Sequence, residues 1–343
     1  MSIKVLGLES SCDDTAASIV DDKNRILSNI VIGQIQEHTP YRGVVPEIAA
    51  RSHLKNLQCA IDRCLLESGM TLNDIDAIAA TSGPGLIGGV IVGCMYGKAL
   101  ASALKKPFIA INHLEGHALT VRLTNNIAFP YLLLLVSGGH CQFVAVESLG
   151  KYKILGQTLD DAVGEAYDKV AKMMGLGFPG GAIIEQMAKN GNPLAYDFPR
   201  PLQNQKNCNM SFSGLKTAVQ LKIREFESLS KQNIRDIAAS FQQAVCDVLV
   251  KKTKYAIAQY QNNYNGRSIV VSGGVAANQQ ICSHLKDLAQ ECKYSFYAPS
   301  IKLCTDNAAM IAFTGLEYLK SGIVSDMNFR PRAHWSLDKL HDV

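Results

Sequence analysis

Two stretches of this chain repeat one pattern. Lys4–Glu9 and Thr15–Asp21 read as strands joined by the polar turn Ser10-Ser11-Cys12-Asp13-Asp14, and Tyr131–Ser137 and Cys141–Glu147 read the same way around Gly138-Gly139-His140. Either one alone is an ordinary hairpin. A strand, tight polar turn and strand opening each half suggests an internal duplication instead. Turns built from Gly, Ser and Asp also leave backbone N–H groups able to face an anion. At 343 residues the chain exceeds one ordinary core and fits two lobes of roughly 150 residues each.

The intervening segments support that division. Leu54–Ser68 reads as an amphipathic helix and Ile75–Ala80 as a strand; Ser82-Gly83-Pro84-Gly85-Leu86 leads into a helix ending near Leu104, and Phe108–Ile111 is apolar like a strand. In the second half Leu159–Gly175, Ile234–Gln259 and Ala308–Lys320 read as helices. Arg267–Ser272 reads as a strand, with Gly273-Gly274 turning into a helix from about Ala276. Strands alternating with helices, and glycine-rich turns at strand ends, give an α/β protein of two similar lobes. Ligands of such sheets bind at strand carboxyl ends, here expected in a cleft between the lobes.

Composition narrows the class. Hydrophobic residues make up 47% and charged ones 19%, with a net charge of +4. That balance permits RNA as a partner without arguing for it, because a strong footprint needs clustered Lys and Arg. The dense basic stretch Lys251-Lys252-Thr253-Lys254 reads as a solvated helix face. The ten cysteines form no Cys-x-x-Cys pair and fit reduced, buried thiols of a cytoplasmic protein. Two uncharged stretches bear on a membrane. Ala77–Gly97 is broken by Gly83-Pro84-Gly85, and Tyr131–Val146 by Ser137–His140, so neither is a good spanning helix. Gly89, Gly93 and Gly97 recur at helical spacing, each at a cost of roughly 1 kcal/mol. Such a stripe implies close packing, within the lobe or against a partner subunit. Gly97-Lys98 does not complete a P-loop, because Val92 stands five residues before Gly97 and Ala99 follows Lys98.

The most specific local signal is Asn112-His113-Leu114-Glu115-Gly116-His117. A strand ends there and Asn112 can cap a following helix. His113 and His117 are then about one turn apart, on one face, in a spacing a divalent cation can use. The alternative is two histidines bonded to their own surroundings.

These residues resemble a known family. Leu8-Glu9-Ser10-Ser11-Cys12-Asp13-Asp14-Thr15, Gly43-Val44-Val45-Pro46-Glu47, His113-Leu114-Glu115-Gly116-His117, Ser137-Gly138-Gly139-His140, Ser211-Phe212-Ser213-Gly214-Leu215-Lys216-Thr217, Ser272-Gly273-Gly274-Val275-Ala276-Ala277-Asn278 and Cys304-Thr305-Asp306-Asn307-Ala308 look like the ordered motifs of the TsaD family, nearly end to end. Each motif is weak alone; seven in order are specific. The resemblance implies the actin/Hsp70/sugar-kinase (ASKHA) fold, with one lobe over residues 1–128, a second over 129–324, and the tail 325–343 packing back on the first. It implies transfer of threonylcarbamoyl from threonylcarbamoyl-AMP to N6 of adenosine 37 in tRNAs reading codons that start with A. It implies His113, His117 and Asp306 as ligands of one divalent metal, Fe²⁺ or Zn²⁺, and a substrate site at Val136, Ser137, Gly138, Gly139, His140, Asp168, Gly181 and Asn278. The implied partners are a TsaB-like paralogue, a TsaE-like ATPase and tRNA, with the glycine-striped helix as the paralogue interface. Departures are Arg42 for Gly, Ala182 for Pro, Ser10 and Asp14 for Thr and Glu, and Cys141 for Thr.

The assignments also have bottom-up readings. Two imidazoles and a carboxylate leave positions for substrate oxygens, although Asp306 at a helix start can equally be an N-cap. Asn278 can bond a ribose or base edge. Asp168 can accept from ribose hydroxyls, or pair with Lys172 on a helix surface. Asp13 or Glu9, in or beside the first turn, are the candidates for the base that takes the amine proton; Asp13 can instead stabilise its own turn. A zinc metallopeptidase would place Glu next to the first histidine, whereas here Glu115 is two residues on. A sugar or acetate kinase of the same fold lacks the histidine pair, and a non-catalytic scaffold of the modification complex has no need of it.

Overall fold

The computed structural model describes residues 2–41 and 43–341. Arg42 and the last two positions of the expected tail, Asp342 and Val343, lie outside the described residues. The chain divides into two units, one of Met1–Ala128, Ser148–Lys151 and Thr305–Val343, the other of Phe129–Glu147 and Tyr152–Cys304.

In chain order the first unit begins with β1 (Lys4–Glu9), β2 (Asp14–Asp21), β3 (Ile26–Gly33), α1 (Ile35–His38), α2 (Pro46–Ser68), β4 (Ala77–Gly83), α3 (Ile87–Leu104), β5 (Phe108–Asn112) and α4 (His113–Asn125). The second unit holds β6 (Tyr131–Val136), β7 (Cys141–Ser148), β8 (Lys151–Gln157), α5 (Val163–Met173), α6 (Gly180–Ala188), α7 (Ser213–Arg224), α8 (Lys231–Gln261), β9 (Ser268–Ser272), α9 (Gln279–Glu291), β10 (Ser295–Tyr297) and α10 (Ile301–Cys304). The chain then returns to the first unit with α11 (Ala308–Lys320).

Among the described residues the strands form two five-stranded sheets, β3-β2-β1-β4-β5 and β10-β9-β6-β7-β8. Substituting β6, β7, β8, β9 and β10 for β1 to β5 turns one order into the other. The directions agree too: β1 and β6 each pair antiparallel with the strand after them, and parallel with β4 and β9 respectively. The repeated hairpin is thus the visible part of a repeated sheet. β6 is buried along its whole length and β1 from Val5 onward, as central strands covered on both faces must be.

Several sequence expectations need correction. Strands β3 and β8 carry no continuous apolar run; their burial is mixed along the strand, so a search for apolar runs passes over them. Helix α2 starts at Pro46, not Leu54, with proline in the first turn where its missing N–H costs nothing. Helix α5 starts at Val163, not Leu159, because Thr158 bridges to Met210 and Leu159 N donates to Met210 O at 2.9 Å. A single 3-10 turn over Gly274–Ala277 precedes α9, so the regular helix begins at Gln279 rather than about Ala276.

The second-lobe boundary at 324 is also corrected. Helix α11 belongs to the first unit, packed on β1 where Gly7 has no side chain: a Cβ there would lie 2.5 Å from Ala308 O and 2.8 Å from Ala312 Cα. The basic stretch in α8 is a solvated face only at Lys251 and Lys254, which are exposed. Lys252 is fully buried, and its Nζ donates to Gln205 O at 3.0 Å and Asn207 O at 3.1 Å. Those two carbonyls supply the partners that a buried ammonium requires. Ala77–Gly97 is divided between β4 and α3, and Tyr131–Val146 between β6 and β7. By length and composition α3 could cross a membrane; here it packs on β4 and α2.

Candidate active site

Strand β5 is buried throughout and delivers the chain to Asn112, whose Oδ1 accepts from Leu114 N at 2.9 Å and Glu115 N at 3.3 Å. This N-cap starts α4 at His113. His113 and His117 are both buried, their ring centroids 4.8 Å apart and nearly perpendicular. The helical spacing therefore does put both rings on one face.

The third group arrives from the far end of the chain. Asn307, not Asp306, caps α11, its Oδ1 accepting from Met310 N at 3.1 Å. Asp306 turns its Oδ1 to the histidines, 3.1 Å from His117 Nε2 and 3.5 Å from His113 Nε2. His113, His117 and Asp306 each offer a ligand atom within 4.8 Å of the others.

Behind His113 lies Glu9. Its Oε2 is 3.0 Å from His113 Nδ1 and accepts from Thr81 Oγ1 at 2.5 Å; Oε1 accepts from Ser11 N at 2.6 Å. A ring that donates Nδ1–H to a carboxylate presents its Nε2 lone pair outward, the usual second-shell arrangement of a ligating histidine. Burial opposes charge on Glu9, but the nearby His113 charge and the bond to it hold its carboxyl below the ordinary range. Burial likewise opposes charge on His113, but Glu9 and Asp306 push it up to about 9. Glu9 thus sits behind the imidazole as its orienting partner and is withdrawn as a candidate base. Asp13 differs: burial and the charge of Asp306 leave its carboxyl above the ordinary range, against the lowering effect of its bond to Cys12. Sequence reading missed Asp14, which burial and then the charges of Asp306, Asp13 and Glu9 push up to about 7. Its signal was the doubled aspartate of the turn.

Does this donor set fit a divalent cation? Ligand bonds of about 2.1 Å place neighbouring donor atoms roughly 3.0 to 3.4 Å apart in octahedral or tetrahedral geometry. Of the two Nε2–Oδ1 separations, that to His117, 3.1 Å, falls in this range and that to His113, 3.5 Å, just above it. The charge balance agrees: Glu9, Asp13, Asp14 and Asp306 lie close enough that the charge of Asp306 opposes ionisation of the other three, with Glu9 held below the ordinary range only by His113 and its hydrogen bonds. Two imidazoles, one carboxylate and surplus negative charge suit Fe²⁺ or Zn²⁺.

In the second unit Val136 ends β6, Ser137 to His140 form the turn after it and Asn278 follows β9, whereas Asp168 lies in α5 and Gly181 in α6. In the turn after Val136, Ser137 Oγ accepts from Gly139 N at 3.3 Å and His140 N at 3.0 Å. Those two N–H groups therefore serve the turn itself, contrary to the expectation that they face an anion. Gly164 N donates to Ser137 O at 3.2 Å, tying the turn to α5. At Gly273, with φ +95°, a Cβ would strike Val136 O, so only glycine lets the two strand ends meet. Asp168 Oδ1 accepts from Gly180 N at 2.7 Å, seating the start of α6. Asn278 caps α9 through Ile281 N at 3.0 Å and donates Nδ2–H to Gln242 Oε1 at 2.8 Å, so its amide is committed within the fold. A Cβ at Gly138, Gly139 or Gly181 would meet nothing within 4 Å; these three glycines present bare backbone.

The glycine stripe of α3 is explained inside its own unit. A Cβ at Gly89 would collide with Ser10 O, one at Gly93 with Ser10 Oγ, and one at Gly97 would lie 2.8 Å from Ala80 Cβ. The glycines of the stripe are therefore used in packing within the unit. The residues two positions before each glycine, Ile87, Ile91 and Met95, are 46%, 44% and 51% exposed.

Comparisons with known proteins identify the family. The model of the family described as "TsaD: tRNA N6-adenosine threonylcarbamoyltransferase" matches residues 25–313. Proteins carrying that enzyme name in Rickettsia rickettsii (strain Sheila Smith) and Rickettsia bellii (strain OSU 85-389) are each 59% identical, over 341 and 340 residues, covering 98% of this chain and 99% of their own length. Among solved structures, HypF from T. kodakarensis superposes with a TM-score of 0.61 at 13% identity, covering 93% of this chain and 48% of its own. Component A of the Acidaminococcus fermentans (R)-2-hydroxyglutaryl-CoA dehydratase does so at 0.52 and 13% identity, covering 94% and 100%. At such identities the structures speak for the ASKHA fold alone.

Proposed function

The chain belongs to the TsaD family, the tRNA N6-adenosine threonylcarbamoyltransferases, and from that premise we propose that His113, His117 and Asp306 hold a divalent cation used in the transfer. It is a transferase that modifies N6 of a tRNA adenosine. In our reading the donor is threonylcarbamoyl-AMP and the acceptor adenosine 37 of tRNAs reading codons that begin with A.

The adenine N6 attacks the carbamoyl carbon, the bond from that carbon to the phosphate oxygen breaks, AMP departs, and the nitrogen gives up a proton. AMP is a good leaving group, so no covalent enzyme intermediate is required. The amine is a poor nucleophile, so positioning and charge stabilisation carry the rate. When bound, Fe²⁺ or Zn²⁺ supplies Lewis-acid polarisation of the carbamoyl oxygen. Glu9 fixes the tautomer of His113. Asp13 is the candidate proton acceptor. Bare backbone at Gly138 and Gly181 is proposed to take the adenylate beside Val136, with Ser137, Gly139 and His140 shaping the turn through their own bonds; Asp168 and Asn278 would act by holding the segments around it.

The observation that carries this reading is the approach of both Nε2 atoms to one Asp306 oxygen, at 3.1 and 3.5 Å. It is tested by elemental analysis of the pure protein together with threonylcarbamoyl transfer to unmodified tRNA. One equivalent of iron or zinc is expected; His117→Ala and Asp306→Ala should lose both metal and transfer. A His113→Ala enzyme that works at the normal rate would remove the cation from the reaction. The peptidase alternative fails on geometry: Glu115 is bound to Tyr318 and Gly150 instead of facing the imidazole pair.

Partners belong to the same proposal. A TsaB-like paralogue is proposed to cover the exposed apolar stripe Ile87, Ile91 and Met95. A TsaE-like ATPase and tRNA complete the set, with the cytoplasm as the place of action.

A further inference from the structure

Glu115 lies between the two imidazoles in sequence, yet on the other side of α4. Its carboxylate is 1% exposed. It accepts from Tyr318 OH at 2.8 Å on Oε1 and 3.0 Å on Oε2, and from Gly150 N at 3.2 Å. Burying a carboxylate costs several kcal/mol unless its lone pairs are met. An apolar side chain would fill the same space without that cost. What the carboxylate adds is direction, because a hydrogen bond fixes orientation where an apolar contact does not.

Helices α4 and α11 meet at four places, one of them the ion pair of Arg122 with Glu317 at 3.2 Å. At the start of α11, His117 Nε2 is 3.1 Å from Asp306 Oδ1. In the middle, Gly116 lies so close that a Cβ would be 3.0 Å from Ile311 and 3.1 Å from Met310. Near the end, Glu115 reaches Tyr318. Asp306 precedes α11, whose first residue, Ala308, lies about 15 Å from Tyr318 at 1.5 Å per residue. The contact with Asp306 on one side, and those of Glu115 with Tyr318 and Arg122 with Glu317 on the other, therefore grip α4 at opposite ends of its neighbour. The glycine allows the close approach but offers nothing to resist a roll of α4 about its own axis. A roll of about 20° moves a side-chain tip, some 5 to 6 Å from the axis, by about 2 Å. Metal sites tolerate about 0.2 Å in ligand distance. The His117–Asp306 contact cannot hold the roll once both atoms turn to a cation.

We infer that Glu115 and Tyr318 form a positioning pair that sets the roll of α4, and with it the placement of both imidazoles against Asp306. This rests on the reading of His113, His117 and Asp306 as metal ligands.

The test uses the full-length protein, stripped of metal and titrated with Co²⁺. Tyr318→Phe removes one hydroxyl and nothing else. It should weaken Co²⁺ binding 10- to 100-fold and change the visible Co²⁺ spectrum. Glu115→Gln keeps an acceptor for Tyr318 OH and should bind better than Glu115→Leu. The double variant Glu115→Leu/Tyr318→Phe should be no weaker than Glu115→Leu alone, as for a coupled pair. Wild-type affinity and spectrum in Tyr318→Phe would overturn the inference. If wild type and His117→Ala bind Co²⁺ equally, the metal reading itself fails. The imidazole ¹⁵N resonances of the metal-free protein then decide the positioning claim: displacement of the His113 and His117 signals by Tyr318→Phe upholds it, and unmoved signals reject it.

Discussion

Asn112 Nδ2 donates to the carbonyl of Trp335 at 2.9 Å, and this bond joins the C-terminal tail to the helix that carries both imidazoles. The same side chain caps α4 with its oxygen, so one amide serves both ends of the arrangement. Two backbone bonds clamp the tail nearby: Arg332 N donates to Ser82 O at 2.8 Å, and Gly85 N to Ala333 O at 3.2 Å.

Replacing Asn112 therefore separates two roles. Asn112→Ala should cost about 2 to 3 kcal/mol, the cap contributing about 1 and the buried Trp335 carbonyl the rest. Asn112→Asp keeps the cap acceptor but cannot donate to Trp335. Urea unfolding should place it between wild type and Asn112→Ala; a match to wild type would show that the tail bond is dispensable.

Glu9→Gln should leave the fold intact and weaken the cation site. The glutamine retains an acceptor for Ser11 N, but the charge behind His113 is gone. Loss of such an orienting carboxylate reduces metal affinity about 10- to 100-fold. In the metal-free protein the His113 titration, now near 9, should move downward, because Glu9 is the largest charge favouring the protonated ring. An NMR titration that still finds it near 9 contradicts this account.

The two faces of α3 should respond oppositely. Gly89→Ala drives a methyl into Ser10 O. Overpacking of about 1 to 3 kcal/mol should outweigh the gain of roughly 1 kcal/mol in helix propensity, giving a lower melting temperature. Ile91→Ser, on the exposed face, should leave melting within about 0.5 kcal/mol of wild type and instead reduce co-purification with a TsaB-like partner. Equal melting losses in both would mean that the exposed stripe supports the fold.

Acid stability should depend on the start of α7. Asp160 accepts from Ser211 Oγ, Ser213 Oγ and Phe212 N at 2.5, 2.6 and 2.8 Å. Asp161 pairs with Lys216 at 2.7 Å and Lys169 at 3.0 Å. Burial pushes both carboxyls up, but these bonds outweigh it and hold them below the ordinary range. A depressed folded value gives stability that is complete above the unfolded pKa of about 3.9 and is lost as pH falls below it toward the folded value. Asp160→Asn should flatten the acid limb of stability below about pH 5 in a denaturant series at stepped pH. An unchanged slope there would mean that these bonds exchange evenly with water.

Local sequence determined a good deal here. The two hairpins, the Asn112 cap, the one-turn spacing of His113 and His117 and the glycine stripe all follow from chain chemistry within a few residues, where backbone preference and periodicity act. Family motifs added Asp306 to the pair, which spacing alone could not, since 189 positions separate it from His117. Tertiary structure decided what each group faces. Asn307 took the cap and released Asp306; Glu9 became the support of His113 instead of a base; Asn278 spent its amide on Gln242; Lys252 was drawn into the interior by two distant carbonyls. The physical reason is the same throughout. A residue type and its neighbours set which bonds a side chain can make, but burial and long-range packing set which partner is within reach, and in a low-dielectric interior that partner fixes charge, tautomer and role.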